Sequence, residues 1–196
     1  KPLKTGRFDL QGIDNVTQIG CPTDNIWSFM AISPDGHMLA VAGIHQSLQL
    51  WNLDTLKVVN LKGLKSDATA LLFTEDSRHL ISSAGEEDLP HSCELVLWNS
   101  QTGKLSRELT RDDGRPFVDL CRLPGTNTIV ATTHERLCRW NVESGQRIWE
   151  SDAYGKLVFG GETISCSSSG HIVLHDLDGT IAVIDPQTLK EISTIQ

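Results

Sequence analysis

The stretch Ser33-Pro34-Asp35-Gly36-His37-Met38-Leu39-Ala40-Val41-Ala42-Gly43-Ile44-His45-Gln46-Ser47-Leu48-Gln49-Leu50-Trp51-Asn52 decides the architecture. It opens on a tight turn, whose Pro, Asp and Gly supply the backbone angles a reversal needs. An apolar run, a second turn and a short alternating segment follow, closed by Trp-Asn. Leu48 and Leu50 fall two apart, so on a pleated strand they share one face and predict that this face is packed. The rival reading is helix, but no window of the chain keeps apolar residues at i, i+3, i+4 and i+7 for three turns.

Working outward, the dipeptide recurs as Trp98-Asn99 and Trp140-Asn141, and Ile184-Asp185 takes the fourth place, at spacings of 47, 42 and 44 residues. A period in this range, with a bulky residue closing each unit, is the pattern of a ring of four-stranded sheets. The leading turn recurs at Glu75-Asp76-Ser77, Leu123-Pro124-Gly125 and Ser167-Ser168-Ser169-Gly170-His171. From turn to closing residue the distance is 15 from Gly36, 15 from Gly125 and 14 from Gly170, but 21 from Ser77. The second unit therefore carries about six additional residues between Gly85 and Glu94. In the first unit, strands are predicted over 27–33, 37–43, 47–52 and 57–62. Polar turns such as Ser100-Gln101-Thr102-Gly103-Lys104, Glu143-Ser144-Gly145-Gln146 and Pro186-Gln187-Thr188-Leu189-Lys190 lead into each last strand.

Lys4-Thr5-Gly6-Arg7-Phe8-Asp9-Leu10 resembles the same turn and strand, so an orphan strand is expected at about 4–10. The expected organisation is one all-β domain over 1–196, with four-stranded antiparallel blades at about 26–62, 68–110, 116–150 and 161–196. Residues 151–160 are either a connector or part of the last inner strand. Four such blades rarely close a ring, so the remaining blades are expected from upstream sequence or a second chain. An open array leaves sheet faces and edges that invite association.

Composition narrows the function. Apolar residues make up 39% of the 196-residue chain and charged residues 21%, which is globular rather than disordered. The net charge of −8 argues against nucleic acid as the main ligand, since phosphate binding needs a concentrated Lys/Arg footprint. No apolar run is long enough to span a bilayer as a helix, so no membrane partner is expected. Five cysteines without a C-x-x-C pair read as free thiols in a reducing compartment, cytoplasmic or alternatively nuclear. A start at Lys1, with neither Met nor a signal-like stretch, reads as a cropped or processed chain.

The turn Ser33-Pro34-Asp35-Gly36 with Leu50-Trp51-Asn52, and Leu97-Trp98-Asn99 with Thr102-Gly103-Lys104, resemble the WD-repeat (tryptophan–aspartate repeat) β-propeller family in degenerate form. The resemblance covers nearly the whole chain and implies a scaffold that binds proteins or peptides on one face of the ring. Departures are visible. Asn replaces Asp in three dipeptides, and no Gly-His precedes the first strand of a blade. Ile44-His45-Gln46-Ser47 and Thr133-His134-Glu135-Arg136 lack the Asp that members use for a His–Ser–Trp network. Apolar packing is therefore expected to hold these blades more than that network does. Arg139 stands where other blades have Leu50, Leu97 and Val183, and its guanidinium is expected to reach water or a carboxylate. Gly179-Thr180-Ile181-Ala182-Val183-Ile184-Asp185 suits a quinoprotein-like propeller equally well.

Catalytic, cofactor and metal sites are expected to be absent. No G-x-S-x-G turn supports a nucleophilic serine. His171 and His175 lie too far apart along a strand for one ion, and zinc wants three or four ligands. Cys121 and Cys138 are placed on neighbouring strands as core thiols rather than a thiolate pair. Glu86-Glu87-Asp88 and Asp112-Asp113 read as solvated loop charges. Trp27 and Trp149 read as core or inter-blade residues. Partner-binding candidates are drawn from the loops of one rim, where a rigid scaffold collects recognition residues. They are His45, Glu86, Glu87, Asp88, His91, Arg111, His134 and Arg136. The expected function is a non-catalytic scaffold for protein–protein interaction within a larger protein or complex, without cofactor. The competing reading is a propeller enzyme, a quinone-cofactor dehydrogenase or a calcium-dependent lactonase.

Overall fold

A computed structural model describes residues 27–86, 89–109, 116–133, 136–151, 164–175 and 179–195, and within 27–195 these residues form four antiparallel sheets. Blade one holds β1 (Trp27–Ile32), β2 (Met38–Gly43), β3 (Leu48–Asn52) and β4 (Lys57–Leu61). Blade two holds β5 (Ala68–Phe73), β6 (His79–Glu86), β7 (Leu89–Asn99) and β8 (Leu105–Leu109). Blade three holds β9 (Asp119–Leu123), β10 (Thr128–Thr132), β11 (Leu137–Asn141) and β12 (Gln146–Glu150). Blade four holds β13 (Ile164–Cys166), β14 (Ile172–His175), β15 (Ile181–Ile184) and β16 (Glu191–Ile195). Each is a simple meander whose strands pair in sequence order. The orphan strand expected at 4–10 lies outside the described residues, as does nearly all of 151–160.

The outermost strands β4, β8 and β16 are almost wholly exposed, while the first strands β1, β5, β9 and β13 line common cavities. Between these limits the core consists of three inter-blade clusters. Ala40, Leu48, Leu50 and Leu61 of blade one meet Phe73, Leu80, Val96 and Trp98 of blade two. Leu95, Leu97 and Leu109 meet Ile129, Cys138 and Trp140 of blade three. Cys121, Val130 and Leu137 meet Ile172, Leu174, Ala182 and Ile184 of blade four. Strict alternation along the third strand thus assigns each face a neighbour: the Leu face packs on the following blade and the Trp face on the preceding one. Each large side chain so buried contributes about 2–3 kcal/mol.

The dipeptide's second residue has a separate task. Oδ1 of Asn52, Asn99, Asn141 and Asp185 accepts the backbone N–H three residues on, from Thr55, Thr102, Ser144 and Thr188, at 2.7–2.8 Å. An amide oxygen does this as well as a carboxylate oxygen, so Asn replaces Asp without loss of the turn. At Asp185 the N–H and hydroxyl of Thr188 hold the carboxyl below its ordinary range. In blade two the turn continues into Gly103, at φ 67°, where a Cβ would stand 2.7 Å from Cγ1 of Val59 in blade one. Glycine there answers both the left-handed backbone and the close approach.

The additional residues of blade two form no separate loop: β6 and β7 run on, with a bulge at Gly85, until Glu86 pairs with Leu89. The apolar packing expected of the blades is joined by buried polar contacts. Trp98 Nε1 donates to Oγ of Ser82 at 2.8 Å, whereas Trp51 Nε1 finds Oε1 of Gln49 at 3.1 Å. Trp140 Nε1 is buried without an acceptor among the described residues, because Ala131 occupies the place that Ser82 takes in blade two.

Candidate functional site

The second turn of blade one and the described flanks of the second turns of blades two and three share one rim with the connection between blades one and two. Ile44-His45-Gln46-Ser47 reverses in two residues with φ of 60° at His45 and 58° at Gln46. Both central residues of such a primed turn need positive φ, which matches the twist of a hairpin but strains any residue other than glycine. Gln46 is tied down from the neighbouring connection, its N–H donating to Oδ1 of Asp67 at 2.6 Å and its amide to the Lys65 carbonyl at 3.1 Å. His45 is left exposed at the tip.

Arg136 stands on the same rim of blade three, but its charge is already answered. Its Nη1 lies 3.1 Å from Oε1 of Glu150, whose Oε2 pairs with Arg147 at 2.8 Å. Glu86 and His91 fall on the extended β6–β7 hairpin, where the backbone alone is described. Glu87, Asp88, Arg111 and His134 lie outside the described residues. Of the eight candidates, then, the side chains of His45 and Arg136 are placed, and both reach the rim the turn pattern assigns them.

Sequence reasoning missed Glu94. It is 3% exposed, accepts the Lys65 N–H at 2.6 Å on Oε1, and holds the Lys65 ammonium 3.6 Å from Oε2. Burial raises its carboxyl above the ordinary range against the pull of Lys65. The extended hairpin hides this position, since only the ladder, which pairs Glu94 with Ala84, brings it beneath the connection between blades.

Three expectations are corrected in part. Among the described residues Arg139 reaches no carboxylate: its Nη1 donates to the Pro186 carbonyl of blade four at 3.3 Å, and Nε has no acceptor. Cys121 and Cys138 are buried core thiols, as expected, but their strands are not neighbours: β10 separates them and they face opposite clusters. Cys121 instead lies beside Cys166 of blade four, its thiol donating to the Cys166 sulfur, while the Cys166 thiol reaches the Ser167 carbonyl at 3.6 Å. His171 sits in a turn with Nδ1 2.9 Å from Oγ of Ser169, while His175 is exposed on β14. Trp149 packs partly buried against the cluster between blades three and four. Among the described residues, no three His, Cys, Asp or Glu side chains converge as a metal site.

The two ends of the array differ from its interior. On blade one, Met30 and Ile32 of the Trp51 face are 75% and 63% exposed, although Trp51 and Gln49 on the same face are buried. On blade four, Ile181 and Val183 are half-buried and Ile195, paired with Ile181, is exposed. These are the faces that blades two and three bury against a neighbour.

No protein-family model matches the chain, and no curated protein matches it. Among solved structures 1339 chains match, which marks the fold as a common one. One is the β-propeller domain of Myceliophteria thermophila Cps50 (Swd1), with a TM-score of 0.71 and 20% identity over 88% of this chain. The architecture is that of a β-propeller. This chain spans 57% of the Cps50 structure's length, and at that identity the likeness speaks to fold alone.

Proposed function

We propose that the chain is a non-catalytic segment of a WD-repeat-type propeller that mediates protein–protein contact within a larger protein or complex. The observation that carries this is the pair of end faces: Met30 and Ile32 on blade one, and Ile181, Val183 and Ile195 on blade four. Apolar residues exposed on faces that blades two and three bury against a neighbour fit further blades, supplied by the same polypeptide or by a second chain. The Ser82–Trp98 hydrogen bond supports the WD-repeat assignment, being one limb of the network that family uses. Cps50 (Swd1), with its propeller domain, is in keeping with this reading. Recognition is assigned to the rim that carries His45 and Arg136, in a cytoplasmic or nuclear setting.

Light scattering of the 196-residue chain tests the end faces, with concentration-dependent association as the expected result. A monodisperse monomer with one cooperative melt overturns it. For the rim, capture of partners by wild type is compared with capture by His45→Ala and Arg136→Glu. Equal recovery of every partner by all three dismisses that surface.

A further inference from the structure

Blades three and four meet at their innermost strands through two cysteines. The N–H of Ile164, at the start of β13, donates to Oδ2 of Asp119, at the start of β9, at 3.0 Å. That contact sets the two strands side by side, and two residues further along each lie Cys121 and Cys166. Corresponding positions at the other interfaces hold Ala31 with Phe73 and Leu72 with Arg122. The fold thus does not require sulfur here. All six of these residues line one cavity of about 650 Å³ that opens towards the centre of the array.

The two thiols are unequal. Cys121 is buried in the inter-blade cluster, and Cys166 is partly exposed at the cavity wall. The hydrogen bond from Cys121, assisted by the guanidinium of Arg122, lowers the Cys166 thiol to about 7. The same hydrogen bond, together with burial, pushes the Cys121 thiol well above its ordinary range. An accessible thiolate beside a buried protonated thiol is an arrangement of attacking and resolving cysteines.

We propose that Cys166 and Cys121 form a peroxide-reactive dithiol that closes into a disulfide linking blades three and four. In the first step the Cys166 thiolate attacks one oxygen of a hydroperoxide, the O–O bond breaks, and an alcohol or water leaves once protonated. Sulfur is oxidised to the sulfenic acid as the peroxide is reduced. In the second step the Cys121 sulfur attacks the Cys166 sulfur. The S–S bond forms, the S–O bond breaks, and hydroxide leaves as water with the proton of Cys121. Two thiols and one hydroperoxide thereby give one disulfide, one alcohol (or water) and one water. The product joins two blades otherwise held by apolar packing and a few hydrogen bonds, and fixes their relative position.

Limiting hydrogen peroxide is added to the native chain, remaining thiols are blocked, and the peptides are mapped by mass spectrometry. The expected product is a Cys121–Cys166 cross-linked peptide lacking two hydrogens, formed severalfold faster than any oxidation at Cys93. In Cys121→Ser, Cys166 is expected to stop at the sulfenic acid and be trapped by a cyclic 1,3-diketone. In Cys166→Ser, Cys121 is expected to stay reduced. Oxidation of Cys93 at the same rate as Cys166, or absence of the cross-linked peptide from wild type, overturns the proposal. The wild-type experiment stands even if a variant fails to fold.

Discussion

Three closing residues share one structural place and differ in a single acceptor. Trp98 has Ser82, Trp51 reaches Gln49, and Trp140 faces Ala131 with its Nε1 unsatisfied among the described residues. A buried donor left without an acceptor costs about 1–3 kcal/mol, whereas making the bond contributes about 1 kcal/mol. Ser82→Ala is therefore expected to destabilise by about 1–3 kcal/mol, and Ala131→Ser to stabilise by about 1 kcal/mol. Urea midpoints at constant slope decide both; an Ala131→Ser variant no more stable than wild type removes the explanation. Glu94 gives a second residue-scale outcome. Its folded pKa is raised, so between the ordinary glutamate range and the raised value the native chain holds a proton that the unfolded chain has released. Stability contributed by this group is therefore present below the ordinary value and lost as pH rises through the folded one. Glu94→Gln is expected to flatten that fall in a series of urea melts across pH, and an unchanged slope refutes the assignment. The trouble at Arg139 was readable, since a guanidinium at a Leu position must be answered somewhere. The Pro186 carbonyl was not, because it belongs to another blade 47 residues away.

At the scale of an element, the turns explain how far a sequence reading reaches. The Trp-Asn period, the reversals and the alternation of Leu48 with Leu50 are local patterns, and strand existence and order follow from them. What escaped was tertiary. The β6–β7 extension reads as a loop in sequence because its residues break alternation at the Gly85 bulge. The Cys121–Cys166 meeting needs the facing of two strands from different blades, which no single window contains. The His45-Gln46 turn joins both levels. Two side chains at positive φ carry strain of about 1 kcal/mol or more each. Gln46 has anchoring hydrogen bonds to Asp67 and Lys65 that offset its share, but exposed His45 has no such bond among the described residues. His45→Gly is accordingly expected to raise stability by about 1 kcal/mol. If His45 is retained for recognition, the same change lowers partner capture while the melt improves. A variant that melts lower than wild type shows that the turn is not strained at this position.

Across the whole molecule, the clusters of the described residues each join one blade to the next, so stability divides into blade terms and interface terms. Among the described residues, blades two and three contribute both faces to the three clusters, whereas blades one and four contribute one each. Opening a covered blade exposes two apolar interfaces; opening an end blade exposes one. Free energies of local opening should therefore form a gradient, highest in the middle. Amide hydrogen exchange is expected to show the strongest protection along β6, β7, β10 and β11, with β2 and β14 exchanging through a lower-energy opening. The outer strands are poor reporters, since their solvent-facing edges exchange early in any blade. Material that supplies neighbouring blades should raise protection in blades one and four while leaving β6 and β10 nearly unchanged, because only the end faces gain a cover. Peroxide treatment separates the two ends: a Cys121–Cys166 disulfide couples blade four to blade three and should slow β14 but not β2. Equal protection in all four blades of the isolated chain means that the end faces need no cover. That outcome removes the physical reason for expecting a larger ring.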